Sequence, residues 1–315
     1  MIPLIQNELM KIFGKMASWI YMVIIVMAVL IAGIIYMKFS ADPNPNWRQD
    51  TQAEITMLEN QMEAAASDDE KKMIQNQIEQ TQQFLDQDIN PNEKTNWHFM
   101  NDVVVGVSSL VTLFVVVVGS ANVAAEFSDG TIKQLLIRPH QRWRILLSKY
   151  IAVIIYALLL VLTLIVSGFI IGLILFGSGD FNMKIFEITL EGRKVAIVGT
   201  QFMLKMLYFI PSLLIVMTIA FMLSTLFKSQ ALAVGIGIFV LFFSSTLGGI
   251  ILMLADKYTW AKFLIFPHLD LTVYALQDRI LEDITLPVSL SILAVYYAIF
   301  MMLTFFFFQK RDISI

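Results

Sequence analysis

Six blocks of apolar residues, each longer than a helix in a soluble core requires, constrain this chain more than any other feature. A helix that crosses about 30 Å of hydrocarbon needs roughly 20 mostly apolar residues. Charge is scarce, since 15% of the 315 residues are charged and 57% are hydrophobic, whereas about a quarter are charged in a soluble domain. The sequence therefore predicts an all-α membrane protein with six transmembrane helices, at residues 17–37, 103–125, 150–176, 202–227, 231–254 and 288–308.

Basic residues near the span ends predict the orientation of these helices. The side that holds both termini carries ten Lys and Arg against four Asp and Glu, in short segments. The opposite side carries eleven basic and 21 acidic residues. With Lys205 inside a predicted span, the net charge of −3 therefore combines a basic side with an acidic side. Short loops rich in Lys and Arg face the cytoplasm. Both termini are therefore predicted to be cytoplasmic, in a multi-pass protein of the plasma membrane.

The cytoplasmic termini differ in their patterns. Residues 1–16 predict a helix that lies in the membrane interface before the first span. Its apolar side would face lipid and its polar side water; the two sets are Leu4, Ile5, Leu9, Ile12 and Phe13, and Gln6, Asn7, Glu8 and Lys11. Residues 309–315 form a short cytoplasmic tail.

Residues 38–102, after the first span, predict an extracellular helical hairpin. Ile55, Leu58 and Met62 repeat at helical spacing, and so do Ile74 and Ile78 further along. Between the two runs, the sequence Ser-Asp-Asp-Glu at 67–70 is typical of a capping box that starts a helix. The alternative is a disordered acidic spacer. Of the other outer loops, 177–201 is short and mixed, and 255–287 predicts interfacial or re-entrant helices.

Several chemistries lack their sequence signatures here. The chain has no cysteine, which excludes disulfides and thiolate zinc sites. Its three histidines are far apart, and no P-loop, H-E-x-x-H or G-x-S-x-G pattern occurs. We expect no catalytic residue, no metal site, no cofactor bound by this chain and no nucleic-acid partner. Lys205 is the ionisable residue within a predicted span, and its place near the outer end suggests that it snorkels to the interface.

Small residues in the spans suggest close helix packing. Glycines at four-residue spacing let helix backbones approach closely, and the predicted packing positions are Gly168, Gly172, Gly235 and Gly237. A second row of small and polar residues follows one face of the second span. It borders either a substrate pathway or another helix; its members are Gly106, Ser109, Thr112 and Ser120.

The segment 126–149 between the second and third spans is large enough to receive a cytoplasmic partner. Gly130 permits a sharp turn, Thr131 and Gln134 form a capping box, and Pro139 ends the helix. This predicts a short helix over 131–138, followed by Arg142 and Lys149 at the lipid headgroups. The alternative is a plain loop that only orients the protein.

The pattern E-F-x-D-G-T-x-K-x-L-L-x-x-P-x-x-R-x-x-I-L-L-x-K over 126–149 resembles the permease subunits of the ABC-transporter type-2 (export) family. The Asn-Glu-Leu-Met-Lys run at 7–11, the six spans and the ending at 308–313 are also similar to that family. The resemblance covers the whole chain except the hairpin loop, which is longer than usual.

The resemblance implies an export permease without its own ATPase site. It would act with a second permease subunit, identical or paralogous, and with two ABC ATP-binding subunits that hold ATP and Mg. The helix 131–138 would be the coupling helix, and the implied contact residues are Glu126, Gly130, Thr131, Lys133, Leu135, Leu136, Arg138, Pro139 and Arg142. The family does not name the substrate.

Two other functions compete with export. One is a membrane sensor or resistance factor whose external hairpin binds an envelope component or a peptide. The other is an ion-coupled carrier or channel, which the scarcity of ionisable residues in the spans disfavours.

Overall fold

The protein is helical for most of its length. The computed structural model describes residues 1–39, 44–131, 141–189, 192–255, 257–281 and 283–310. In those residues a π-helical turn, Met100–Val104, precedes the sixth α-helix. The described α-helices are α1 (Ile2–Phe13), α2 (Met16–Phe39), α3 (Trp47–Ala64), α4 (Asp68–Asp86), α5 (Asn96–Phe99), α6 (Val105–Ser128), α7 (Arg142–Phe176), α8 (Val198–Leu226), α9 (Gln230–Ala255) and α10 (Leu286–Lys310).

Five helical segments are long and apolar enough to cross a membrane, and α9 makes six if its two halves, bent by 42°, count as one span. The five are α2, the continuous helix Asn96–Ser128, α7, α8 and α10. The structure therefore contains five to six candidate membrane-spanning helices, close to the six apolar blocks of the sequence. Helix α7 starts at Arg142, whereas the predicted third span starts at Tyr150. The helix therefore extends beyond the predicted span at its N-terminal end.

The helices define two ends of the bundle. At one end, which we call the terminal end, lie α1, the end of α6, the start of α7 and the end of α10. The Ser128 hydroxyl there donates to the carbonyl of Lys228 at 3.1 Å, and Arg142 donates to the carbonyl of Gln309 at 3.1 Å. The opposite end, the hairpin end, carries α3, α4 and α5. Which end faces the cytoplasm stays a prediction.

Helices α3 and α4 pack against each other. The predicted capping interaction starts α4, since the Ser67 hydroxyl accepts a hydrogen bond from the Glu70 amide at 3.2 Å. The structure supplies a β-hairpin, strands β1 (Lys184–Thr189) and β2 (Gly192–Ile197), which contacts α4 through an edge-to-face pair of Phe84 and Phe186 with centroids 5.1 Å apart.

Two strand pairs correct the all-α prediction. Strands β1 and β2 pair antiparallel, with Lys184 opposite Ile197 and Thr189 opposite Gly192, and Gly192 takes a positive φ of 116° at the turn. Residues 255–287 contain short 3-10 turns and the strands β3 (Arg279–Leu281) and β4 (Ile284–Thr285) where interfacial or re-entrant helices were expected. Pro267 and the scattered polar residues leave too few consecutive apolar positions there for a longer helix.

The glycines predicted to pack helices have different surroundings. A Cβ on Gly168 would lie 2.7 Å from a methyl of Val104, and one on Gly172 would lie 3.0 Å from Phe99. A Cβ on Gly237 would lie 2.4 Å from the Ser120 hydroxyl, whereas a Cβ on Gly235 would meet nothing within 4 Å. Three of the four glycines therefore lie at close helix contacts, and Gly235 lies beside open space.

These surroundings predict opposite effects of one substitution. Gly168→Ala should lower the melting temperature of the detergent-solubilised protein, because the methyl must displace stiff, β-branched Val104 and overpacking costs about 1–3 kcal/mol. Gly235→Ala is the matched control, and alanine's higher helix propensity should leave that variant unchanged or slightly more stable. Thermal unfolding followed by tryptophan fluorescence measures both. Equal melting temperatures for the two variants would contradict the packing described here.

Candidate functional site

The segment predicted to contact a partner is described at its two flanks. Residues 132–140 lie outside the described residues, and with them Lys133, Leu135, Leu136, Arg138 and Pro139. The flanks are the end of α6 with the turn to Thr131, and the start of α7. Gly130 has a φ of +69°, a conformation that glycine adopts without strain. The chain therefore turns sharply at the end of α6, as the sequence analysis expected.

Helix α1 lies against this flank and buries Glu8 together with Ile12. Glu8 is 4% exposed and Ile12 is 5% exposed, whereas Ile2 and Met10 are mostly exposed. The prediction that Glu8 faces water is therefore wrong. Its carboxylate is turned toward the protein because two lysines lie there.

Four charged side chains meet at the terminal end; we call them the Lys149 cluster, made of Glu8, Lys11, Glu126 and Lys149. The Lys149 ammonium donates to one oxygen of Glu8 at 2.7 Å and to Oε1 of Glu126 at 2.6 Å. The Lys11 ammonium donates to the other oxygen of Glu8 and to the same Oε1, both at 2.8 Å. Two cations and two anions thus form a closed, neutral ring that joins α1, α6 and α7.

Burial distinguishes this ring from surface ion pairs. The Lys149 side chain is 1% exposed and the Glu8 side chain 5%, although Lys11 reaches the surface at 40%. The prediction that Lys149 lies at the lipid headgroups is wrong, because its ammonium ends between two carboxylates inside the protein. A buried ion needs such partners, since losing water around it costs several kcal/mol.

The surroundings also shift the proton affinities of the two α1 residues. Burial alone would raise the pKa of the Glu8 carboxyl, but Lys149 and Lys11 together hold that pKa below its ordinary value. Burial alone would lower the pKa of the Lys11 ammonium, but Glu126 and Glu8 raise it above its ordinary value. The contribution of Glu8 to stability is therefore lost as the pH falls through its lowered pKa, and that of Lys11 as the pH rises through its raised pKa.

Two hydrogen bonds connect α2 and Thr131 to the helices that the Lys149 cluster joins. The Tyr156 hydroxyl of α7 donates to the carbonyl of Ser18 in α2 at 2.9 Å. The Thr131 hydroxyl donates to the carbonyl of Glu126 at 3.5 Å. Both ends of the segment 132–140 therefore start from helices that are hydrogen-bonded or ion-paired to each other.

The predicted pathway residues separate into two groups. Ser109 and Thr112 line a cavity of about 570 Å³ between α6, α8, α9 and the segment before β3. Gly106 lies on the exposed surface one turn away, and Ser120 is fully buried against Gly237. The structure thus brings Ser109 and Thr112 to one cavity and puts Ser120 into a helix contact.

A second charge group, at the hairpin end, was missed by the sequence analysis. The Lys205 ammonium of α8 donates to Glu187 of β1 at 2.7 Å, and the Asn101 amide donates to the same carboxylate oxygen at 2.7 Å. Lys205 is 9% exposed, so the prediction that it snorkels to the interface is wrong. Glu187 lies in a loop with no apolar block, and no spacing in the sequence connects it to Lys205.

The Lys149 cluster predicts a specific pattern of stabilities. Lys149→Met and Glu8→Gln should each lower the free energy of unfolding by about 3–5 kcal/mol, because each leaves the remaining buried charges unbalanced. The double variant restores a neutral site, so its loss should be clearly smaller than the two single losses combined. Chemical unfolding of the purified protein in detergent measures all three.

The exposed pair of Arg48 and Asp88 supplies the control, since their side chains are 63% and 67% exposed. Asp88→Asn should change stability by at most about 1 kcal/mol. Additive losses for Lys149→Met and Glu8→Gln would mean that the two charges do not compensate each other.

Comparison with known proteins gives the family. The model of the family "Protein of unknown function (DUF2705)" matches residues 64–314. The Bacillus subtilis (strain 168) protein "Uncharacterized protein YhcI" is 34% identical over 100% of both chains. The "Uncharacterized membrane protein YdbK" of the same strain is 28% identical over 65% of this chain and 79% of its own.

These matches overturn the family resemblance proposed from residues 126–149. The matching model is that of DUF2705, and neither relative has a name that includes an ABC permease. The coupling pattern is short and mostly consists of residues that any turn and short amphipathic helix beside a membrane would favour, so the assignment to the ABC type-2 family was wrong. The apolar helices and the name of the second relative support a multi-pass membrane protein. The chain belongs to the DUF2705 family.

Proposed function

We propose that this chain is the membrane subunit of an ATP-driven exporter in the plasma membrane, working with a separate ATP-binding subunit. The observation that carries the proposal is the Lys149 cluster. It joins α1, α6 and α7 at the base of the segment 132–140. A partner that moves this segment would therefore move three helices together.

The proposal assigns the energy source to the partner. The sequence has no G-x-x-x-x-G-K-[ST] pattern, so two copies of an ATP-binding subunit would hold ATP and Mg. Lys205, the ionisable residue within a predicted span, lies near the end of that span and is already paired with Glu187 at 2.7 Å. That pair reduces the case for an ion-coupled carrier.

The route from the partner to the bundle follows from the packing of α6. This helix carries Glu126 at one end and lies against α8 and α9 along its length. Ser109 and Thr112 of the same helix line the cavity of about 570 Å³. A displacement at Glu126 would change the walls of that cavity, which a second permease subunit, identical or paralogous, would complete.

The test uses the two leucines expected to contact the partner. In full-length tagged protein purified in a mild detergent, replacing Leu135 and Leu136 by Asp (L135D/L136D) should abolish co-purification of a P-loop ATPase. Two carboxylates at an apolar contact must lose water without gaining partners. Mass spectrometry identifies the partner by its P-loop sequence, and ATP hydrolysis is measured in the same sample.

Ile188→Asp is the matched control, because Ile188 is an apolar side chain, 79% exposed, at the hairpin end. This variant should retain the ATPase. The proposal fails if wild-type protein brings down no P-loop ATPase, or if L135D/L136D retains the ATPase with normal hydrolysis.

A second candidate function is a membrane sensor or resistance factor. The observation in its favour is the connection between the external elements and the spans. Arg193 of β2 donates to the carbonyl of Gln80 in α4 at 3.1 Å, and Glu187 of β1 pairs with Lys205 of α8. An envelope component or peptide bound to the α3–α4 pair would thus be linked to a spanning helix through the β-hairpin.

The two functions differ in which variant removes resistance. In a strain lacking the native protein, the sensor predicts that deleting residues 51–88 abolishes resistance to envelope-active peptides, while L135D/L136D retains it. The exporter predicts loss with L135D/L136D. Minimum inhibitory concentrations measure the difference, with membrane abundance checked by immunoblot. Normal resistance after the deletion would exclude the sensor.

A further inference from the structure

A cavity of about 560 Å³ lies at the terminal end, next to the Lys149 cluster and on the side of α1 and α2. Its walls change in character along its length. Charged and amide side chains line one part, and Tyr21, Val117 and Val118 line another. A ligand that fits this cavity combines a charged head with an apolar body.

The charges that line the cavity limit which head group a ligand can have. The Lys149 cluster is neutral by itself, and the remaining charged residues that line the cavity are Lys15 and Asp129. Both are exposed, and neither forms an ion pair with another described residue. Among the described residues, the cavity therefore offers one cation and one anion that are not ion-paired.

Unpartnered acceptors indicate which end of the ligand carries hydrogen-bond donors. Oδ1 of Asn122 and Oε2 of Glu126 are buried and have no hydrogen-bond partner among the described residues, and Glu126 as a whole is 9% exposed. Buried acceptors of this kind are rare in folded proteins. Both residues line the cavity, and together with Asp129 they make an acceptor-rich side suited to an ammonium with N–H groups.

We propose that this cavity binds a zwitterionic aminophospholipid, of the phosphatidylethanolamine type. Lys15 binds the phosphate. Asp129, Asn122 and Glu126 surround the ammonium, and the acyl chains run along Tyr21 and Val117. Lys15 directly precedes α2, a candidate span that begins at Met16, so the head group would lie at the level where a membrane has its head groups.

This site does not depend on the proposed transport function. The lipid would contact α1, α2 and α6, all of which the Lys149 cluster or its neighbours already connect. A bound head group would satisfy the two free acceptors and add to the stability of this end. If the lipid does not bind in the experiment below, the result of the ATPase co-purification test is unaffected.

The experiment compares three lipids that share acyl chains. Delipidated full-length protein in detergent is titrated with dioleoyl phosphatidylethanolamine, phosphatidylcholine or phosphatidylglycerol, and binding is followed by native mass spectrometry. Choline keeps the positive charge but has no N–H donor, and glycerol has no charge. Charged hydrogen bonds contribute about 1.5–3 kcal/mol, so wild-type protein should bind the ethanolamine lipid about tenfold more tightly than the other two.

Variants separate the two halves of the site. Lys15→Ala should weaken all three lipids, because each has the phosphate. Asp129→Asn combined with Asn122→Ala should remove the preference for ethanolamine. It should weaken phosphatidylcholine less than phosphatidylethanolamine, because choline loses only the attraction between charges and no hydrogen bond. Lys38→Ala, at the opposite end of α2, is the control and should bind as wild type does. Glycerophosphoethanolamine, which lacks the acyl chains, should compete only weakly, since the apolar wall then has no ligand.

Three outcomes overturn the proposal. The first is equal binding of the three lipids by wild-type protein. The second is an unchanged preference for ethanolamine in the variant that changes Asp129 and Asn122. The third is an equal loss of lipid binding in Lys15→Ala and Lys38→Ala. The first comparison uses wild-type protein alone, so it decides the question even if a variant does not fold.

Discussion

The interaction on which the rest of the structure depends is the buried pairing of Lys149 with Glu8 and Glu126. The hydropathy pattern alone predicts a third span that begins near Tyr150 and an α1 that lies in the interface with its polar side toward water. In the structure, α7 begins at Arg142, and α1 packs on the bundle through Glu8, which is 4% exposed and paired with Lys149 of α7. A charged ring inside a membrane protein fixes geometry more than it adds stability, because desolvation offsets much of its attraction.

A second buried lysine has the same effect at the opposite end. Lys205 receives Glu187 from a β-hairpin, and the other face of that hairpin places Phe186 against Phe84 of α4. Successive side chains of a strand point to opposite faces, so one short strand contacts both α8, a candidate span, and the α3–α4 pair at the hairpin end. The α3–α4 pair is thus part of the folded unit and not a separate attachment.

The sequence predicted the features that depend on local composition. Span positions follow from apolar length, and the start of α4 follows from Ser67 and Glu70, whose predicted hydrogen bond is present. The partners of Lys149 and Lys205 could not be predicted, because Glu8 is far from Lys149 along the chain and Glu187 sits in a loop without apolar periodicity. Ser109 and Ser120 share a helix face in the sequence, yet Ser109 lines a cavity and Ser120 lies in a helix contact, since Gly237 of α9 packs directly against Ser120.

Helix α6 and its π-helical start are the element that both charge groups share. Glu126 lies at one end in the Lys149 cluster, and Asn101 lies at the other end on the carboxylate that also receives Lys205. Between them, Ser109 and Thr112 line the cavity next to α8 and α9. Such π-helical turns are frequent at functional sites. One continuous helix therefore connects both charge groups, and the cavity lies between them along its length.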